Sequence, residues 1–137
     1  MANLMENAVV KEDVEKIVGT GSIDWERLKG KKIAVTGATG LLGRITVLAL
    51  LRANEIHRLG LSVQAFIRNE EKAKSIFGEQ QSGTLQYVVT DILKEIPENV
   101  KADFLIHGAS VTTSKMMVEN PVETIMTAIE GTRNIMD

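Results

Sequence analysis

Short apolar runs alternate along the chain with longer segments whose apolar residues recur at helical spacing. The run Lys32–Thr36 leads through three glycines into an apolar segment from Leu41 to Leu59. Three further short runs are rich in β-branched or aromatic residues and cover 61–67, 85–89 and 103–107. Runs of this length, bounded by Gly, Asn or Asp, are typical of buried strands. Strands that alternate with helices predict an α/β fold with a parallel sheet in the order 3-2-1-4 and right-handed crossovers.

Helix signals precede and separate these strands. Apolar residues at 10, 14, 17 and 18 lie on one helix face, which Gly19 and Gly21 end. Residues 22–28 predict a second short helix capped by Asp24 or Ser22, closed by Gly30, with Trp25 and Leu28 packed on the core. The helix after the glycines should run to about His57 and stop near Gly60, and residues 81–83 and 94–101 are expected to be loops.

Two later helices have clear boundary signals. Asn69 is a predicted cap for a helix from Glu70 to Phe77, with Gly78 as its stop. For the last helix, Asn120 is the predicted N-cap, followed by Pro121 and by Glu123 in a capping box, after an upstream helix of one broken turn around 115–119. Its apolar spacing predicts a core-facing stripe of Val122, Ile125, Met126 and Ile129 and an outward face of Thr124, Thr127, Ala128 and Arg133.

The glycines between the first strand and its helix are spaced GxxGxxG. Gly37 suits a turn that needs unusual backbone angles, and Gly40 leaves the helix N-terminus open to an anion. Gly43 allows the helix to lie close to the strand. The strand before and the helix after favour a nucleotide pyrophosphate as the anion, whereas a merely tight turn is the plainer alternative.

The residues that follow the other strands supply candidate cofactor contacts. Arg68 follows the second strand, where an Arg matches the extra phosphate of NADP, so NADP is favoured over NAD; a solvated surface Arg is the alternative. Asp91 is placed to accept from an adenine amino group with Ile92 against the ring, unless it only caps a turn. The full set of predicted cofactor-binding residues is Gly37, Thr39, Gly40, Leu41, Leu42, Gly43, Arg68, Asn69, Asp91, Ile92, Gly108, Ala109, Ser110 and Thr112.

Composition narrows the functional classes. The chain has 137 residues, a net charge of −2 and no cysteine, which indicates one domain without disulfides or thiolate chemistry. Because neither a basic aromatic patch nor a long apolar run is present, we expect no nucleic-acid or membrane partner, and a cytoplasmic location. His57 and His107 lack matching carboxylates, so no metal site is predicted, and His107 is expected to be structural.

With these motifs in view, the chain resembles the NAD(P)-dependent epimerase/dehydratase family of extended short-chain dehydrogenases/reductases. The resemblance rests on TGATGLLG at 36–43, on Arg68, on TDI at 90–92, and on LIHGAS, NPVETI and GTRNIM at 105–110, 120–125 and 131–136. It covers residues 32–137 and implies a Rossmann-type domain that binds NAD or NADP. The segment 1–31 lies outside this pattern and is expected to be a helical extension.

The resemblance also implies chemistry that these residues do not supply. The family uses Tyr-x-x-x-Lys, but the one tyrosine, Tyr87, is followed four residues later by Asp91. We therefore expect the N-terminal part of the cofactor domain, truncated after the fourth strand and its helix, without a substrate domain and without catalytic residues. It would bind the cofactor of a nucleotide-sugar epimerase or dehydratase and be inactive alone; the alternatives are an NADP-binding sensor module and a folded, non-functional gene fragment.

Self-association is a further expectation. A fourth strand without a fifth beside it would present an edge, and the last helix lies where relatives in this family dimerise. A homo-oligomer through the last helix or that edge is predicted, and a nucleotide sugar is expected as a partner only if missing segments complete the site.

Overall fold

The central sheet has four parallel strands. The computed structural model describes residues 3–79 and 83–137, and its strands are β1 (Lys32–Thr36), β2 (Ser62–Ile67), β3 (Leu85–Val89) and β4 (Phe104–His107). They lie in the order β3-β2-β1-β4, and every neighbouring pair is parallel. The predicted α/β class and the predicted strand order are therefore confirmed. Of the predicted loop 81–83, Gln81 and Ser82 lie outside the described residues.

Helices connect and flank these strands. In chain order they are α1 (Ala8–Gly19), α2 (Leu41–His57), α3 (Glu70–Phe77), α4 (Ser114–Glu119) and α5 (Pro121–Met136). The predicted bounds of α2 and α3 are confirmed, and the Asn69 side chain caps α3 by accepting the Lys72 N–H at 3.0 Å. Gly78 ends α3 with a φ of 81°, which is a conformation that favours glycine.

The predicted helix 22–28 is a single 3-10 turn, Trp25–Leu28. The Trp25 indole N–H donates to the carbonyl oxygen of Val18 at 3.1 Å, and this hydrogen bond links the 3-10 turn to the end of α1. Asp24 has a non-helical backbone and, among the described residues, its side chain accepts no capping hydrogen bond. Trp25 is nevertheless buried in the core, and Leu28 packs against that core.

One face of the sheet carries the hydrophobic core. Alternate residues of β1 and β2 join α1, α2 and α3 in one buried cluster; they are Ile33, Val35, Val63, Ala65 and Ile67. The N-terminal segment belongs to this cluster through Val14 and Val18, which are buried as their helical spacing predicts. Polar contacts hold the same segment, since Arg52 Nε of α2 donates to Glu15 Oε1 at 2.7 Å and the Asn3 amide donates to the Phe77 carbonyl at 3.1 Å.

The prediction for the orientation of α5 is wrong. The predicted core-facing residues are exposed, at 72% for Val122, 57% for Ile125, 44% for Met126 and 57% for Ile129. The helix instead turns Gly131 inward, and Thr124 and Thr127, predicted to face outward, are half-buried. Ala128 and Arg133 are exposed as predicted. The reason is that Gly131 and Asn134 of α5 contact Ile92 after β3 and Thr132 contacts His107 at the end of β4, whereas the apolar stripe faces away from the described domain.

The start of α5 also differs from the prediction. Asn120 ends α4 and begins α5, and its backbone N–H donates to the Met116 carbonyl at 2.9 Å. That N–H is therefore unavailable to the predicted capping box with Glu123. Within the described part of the chain, the Asn120 side chain makes no capping bond, and its amide lies 3.7 Å from the Met116 sulfur.

Candidate functional site

The three glycines form a tight turn between β1 and α2. Gly37 has a φ of 65°, and the Gly40 N–H donates to the Gly37 carbonyl at 2.9 Å. A side chain on Gly43 would overlap the same carbonyl oxygen. Because Gly40 is the N-cap of α2 and has no side chain, the first N–H groups of this 17-residue helix are not covered by a capping side chain.

A second loop lies directly against this turn. A β-carbon at Gly37 would lie 2.7 Å from the backbone of Gly108 and 2.9 Å from the nitrogen of Ala109. Real β-carbons do not approach that closely, so glycine is required at 37 both for its backbone angle and for this contact. The loops after β1 and β4 therefore form one continuous backbone surface at the carboxyl ends of the strands.

This surface borders a cavity of about 500 Å³. Ten of the predicted cofactor-binding residues line it; they are Gly37, Thr39, Gly40, Arg68, Asp91, Ile92, Gly108, Ala109, Ser110 and Thr112. They come from the ends of all four strands, which lie together because parallel strands end at the same edge of the sheet.

Four predicted residues lie outside the cavity wall. Leu41 and Leu42 are exposed at 71% and 80% in the first turn of α2, where their backbone N–H groups are at the helix end. Gly43 packs against the turn itself, and Asn69 uses its side-chain oxygen as the cap of α3.

Sequence reasoning missed other parts of the wall. Lys72 lines the cavity beside Arg68, and Met116, Glu123 and Thr127 line it from α4 and α5. Lys72 lies in the first turn of α3, whereas Arg68 precedes that helix, so helical spacing does not pair the two. No local signal identifies Glu123 or Thr127, because the apolar spacing of α5 predicts the opposite orientation.

The turn after β3 is held from two sides. Asp91 Oδ1 accepts the Leu93 N–H at 3.0 Å, so one carboxylate oxygen stabilises the turn while the other remains as an acceptor. The Ile92 side chain lies against Gly131 of α5, where any β-carbon would be 2.5 Å from Ile92 Cδ1. The Asn134 amide donates to the Ile92 carbonyl at 2.9 Å. This turn therefore depends on α5 for its position.

His107 at the end of β4 is hydrogen-bonded through both ring nitrogens. Its Nδ1 lies 2.7 Å from the Thr36 hydroxyl, and its Nε2 lies 3.1 Å from the Thr132 hydroxyl. The Thr36 hydroxyl oxygen also accepts the N–H groups of Gly108 and Ala109, both at 3.1 Å. The expected structural role of His107 agrees with these contacts.

A glycine turn from a parallel strand into a long helix, facing a cavity at the point where the strand order reverses, defines a Rossmann-like domain. Residues 33–137 match the model of the NAD dependent epimerase/dehydratase family. The chain therefore belongs to the NAD-dependent epimerase/dehydratase family, as its motifs indicate, and membership implies that it binds NAD or NADP.

Individual proteins resemble this chain in sequence or in fold. The chain is 28% identical over 111 residues to a UDP-N-acetylglucosamine 4,6-dehydratase (inverting) of Campylobacter jejuni, covering 79% of this chain and 32% of that protein. It is 29% identical over 116 residues to an uncharacterized membrane protein of Methanocaldococcus jannaschii, covering 80% and 32%. The X-ray structure of Pen from Bacillus thuringiensis superposes with a TM-score of 0.60 at 24% identity, covering 79% and 33%, and shares the fold.

The chain spans about a third of the length of each of these relatives. Across residues 3–79 and 83–137, none of the helices combines the length and apolar character needed to cross a membrane.

Proposed function

We propose that this chain binds NADP in preference to NAD and provides the cofactor-binding part of a nucleotide-sugar-modifying enzyme. The observation that carries the proposal is that the uncapped N-terminus of α2 and two cationic side chains, Arg68 and Lys72, border the same cavity. A helix N-terminus favours a pyrophosphate, and two cations nearby favour a second, separate phosphate.

The glycine turn fits a dinucleotide because it presents backbone where side chains would obstruct the ligand. A β-carbon at Gly40 would lie 3.1 Å from the Gly37 carbonyl, so even alanine is tight there. Gly37, Thr39 and Gly40 would hold the pyrophosphate together with the N–H groups of Leu41, Leu42 and Gly43. The small residues Gly108, Ala109, Ser110 and Thr112 would line the remaining half of the cofactor.

The preference for NADP rests on charge at the end of β2. NAD-binding sites commonly place an acid there for the ribose hydroxyls. The nearest acid in sequence, Glu70, pairs with Lys74 Nζ at 3.1 Å along α3. Arg68, Lys72 and the amide of Asn69 instead provide hydrogen-bond donors, which suit a ribose phosphate. Asp91 would accept from the adenine amino group, with Ile92 against the ring.

The proposal of a nucleotide sugar as substrate rests on the Campylobacter relative, whose name includes UDP-N-acetylglucosamine. A bound nicotinamide supplies the hydride acceptor for such chemistry, and the residues of this chain bind and orient it. We place the helical extension at 1–31 and the partial cofactor domain at 32–137. Since 1–137 contain no Tyr-x-x-x-Lys, this chain alone should carry out no hydride transfer.

Cofactor titration tests this function directly. NADPH and NADH fluorescence should show saturable, micromolar binding, with NADPH the tighter ligand, and no turnover should occur when UDP-N-acetylglucosamine is added. Absence of binding would refute cofactor recognition, whereas steady turnover would refute the inactivity of this chain alone.

We also propose that two copies associate through α5. Large apolar residues on its outward face form what we call the α5 stripe, which consists of Val122, Ile125, Met126, Ile129 and Met136. The stripe extends along a helix of 16 residues, about 24 Å, and the exposed Arg133 lies on the same face between Ile129 and Met136. A second copy related by a two-fold axis would present the same apolar surface and cover both stripes.

A further inference from the structure

The structure contains a hydrogen-bond chain that links α5 to the loop after β4. It runs from the N–H groups of Gly108 and Ala109 to the Thr36 hydroxyl, then through the ring of His107 to the Thr132 hydroxyl. The Thr132 hydroxyl lies 2.6 Å from the Ala128 carbonyl within α5. Its members are far apart in sequence, since His107 follows Thr36 by 71 positions and Thr132 follows His107 by 25.

Counting donors determines the direction of every hydrogen bond in this chain. The Thr36 oxygen accepts two N–H groups, which occupy its lone pairs, so its own proton must go to His107 Nδ1. Nδ1 is then an acceptor, and the neutral ring carries its proton on Nε2. That N–H donates to the Thr132 oxygen, and the Thr132 proton goes to the Ala128 carbonyl. Each group thus donates once toward α5.

We propose that Thr132 is a positioning residue for the cofactor loop and acts through the His107 ring and the Thr36 hydroxyl. Thr132 does not line the cavity, whereas Gly108 and Ala109 do. The Thr36 hydroxyl accepts the N–H groups of both loop residues, that of Gly108 being shared with the Thr36 carbonyl at 3.2 Å, and the His107 ring accepts the proton of that hydroxyl. Fixing the ring at Nε2 therefore restricts the loop that packs against the Gly37 turn. The proposal rests on the proposed cofactor site.

The same segment of α5 supports the turn after β3. Gly131 and Asn134 contact the side chain and the carbonyl of Ile92, and Thr132 lies between them in sequence. One helical turn therefore reaches two cavity-lining turns that approach from different strands. Shifting α5 would be expected to disturb both together.

The wild-type protein tests the proton arrangement without any mutation. The chain has two histidines, His57 and His107, so ¹H–¹⁵N correlations of the rings are readily assigned with His57→Gln. We expect His107 to be the Nε2–H tautomer in slightly alkaline buffer. Observation of the Nδ1–H tautomer would overturn the proposal.

Variants of Thr132 test the positioning role. Thr132→Val removes the acceptor and should shift the amide resonances of Gly108 and Ala109 and weaken NADPH binding about three- to tenfold, the effect of one hydrogen bond. Thr132→Ser should restore both. Thr124→Val is the matched control, because the Thr124 hydroxyl bonds to the carbonyls of Asn120 at 2.9 Å and of Met116 at 3.3 Å rather than to His107.

The outcomes separate this proposal from the proposed function. If wild-type protein binds NADPH but Thr132→Val leaves both the loop amides and the affinity unchanged, the positioning role is wrong. If wild-type protein binds no dinucleotide, the proposed function fails, while the tautomer and the amide resonances still decide whether Thr132 positions the loop. Circular dichroism of each variant excludes a general loss of folding.

Discussion

The carbonyl oxygen of Gly37 occupies the space that a side chain on Gly43 would need. The contact joins the first residue of the turn to the first turn of α2, and it explains why the third glycine of the motif matters although it lies outside the cavity wall. Replacing Gly43 should therefore alter the turn itself.

We predict that Gly43→Ala destabilises the fold by about 1–3 kcal/mol, the usual cost of an overpacked position. Because the Gly37 carbonyl must move, NADPH affinity should fall at least tenfold. Urea unfolding and cofactor titration would measure the two effects. Gly21→Ala is the control, since a β-carbon at Gly21 meets nothing within 4 Å; equal effects of the two variants would contradict the prediction.

Cofactor preference should depend on the cationic side chains after β2. Arg68→Asp should weaken NADPH binding by about ten- to a hundredfold, as expected for the loss of a charge-assisted hydrogen bond, and should favour NADH. Lys72→Ala should weaken NADPH binding less and leave NADH binding unchanged. Arg58→Asp is the control, because it makes the same charge change at the end of α2 that lies opposite the cavity. An unchanged preference in Arg68→Asp would place the adenosine elsewhere.

The N-terminal segment should be an integral part of the folded domain. Trp25 is 8% exposed and donates its indole N–H to Val18, so Trp25→Ala should cost about 3–5 kcal/mol in the free energy of unfolding. Trp25→Phe should cost less because the ring remains. Far-ultraviolet circular dichroism during urea unfolding would measure both. Ile23→Ala, at a residue 39% exposed, is the control and should change stability little.

Tyr87 should make stability depend on alkaline pH. Burial raises the pKa of Tyr87, with a smaller upward contribution from the Glu70 carboxylate, and its hydroxyl donates to the Gly78 carbonyl at 3.1 Å. A folded pKa above the unfolded value of about 10 means that this stabilisation is complete below pH 10 and is lost as the pH rises through the folded pKa.

Because Tyr87 is the chain's one tyrosine, phenolate absorbance reports its titration directly. Tyr87→Phe should lose about 0.5–1.5 kcal/mol at neutral pH and should show a flatter dependence of stability between pH 9 and pH 11. A phenolate midpoint below 10 in the folded protein would be inconsistent with this account.

The α5 stripe should control self-association. Ile129→Glu should shift the sedimentation of the protein toward monomer without lowering its melting temperature, because Ile129 is already 57% exposed. Ala128→Glu adds the same charge to the neighbouring exposed position, outside the stripe, and should have little effect. A wild-type protein that remains monomeric at high concentration would refute the proposed dimer.

The sequence by itself determined the elements whose signals are local. The bounds of β3, α2 and α3, the Asn69 cap and the Gly78 stop follow from the residues within each segment. The glycine spacing identifies its turn because the backbone angle that Gly37 adopts has a local signature. The strand order follows from general rules of connection.

Tertiary structure decided which face of α5 is inward and which distant groups meet. An apolar stripe shows that a surface favours burial, but it does not show what buries it, and Val122 and Ile125 therefore face away from the domain. Lys72 and Glu123 enter the cavity wall, and Thr132 meets His107, because of how the helices lie on the sheet, whereas Thr36 meets His107 because β1 pairs with β4. Such contacts depend on packing between segments far apart in the chain, for which no short stretch of sequence carries a signal.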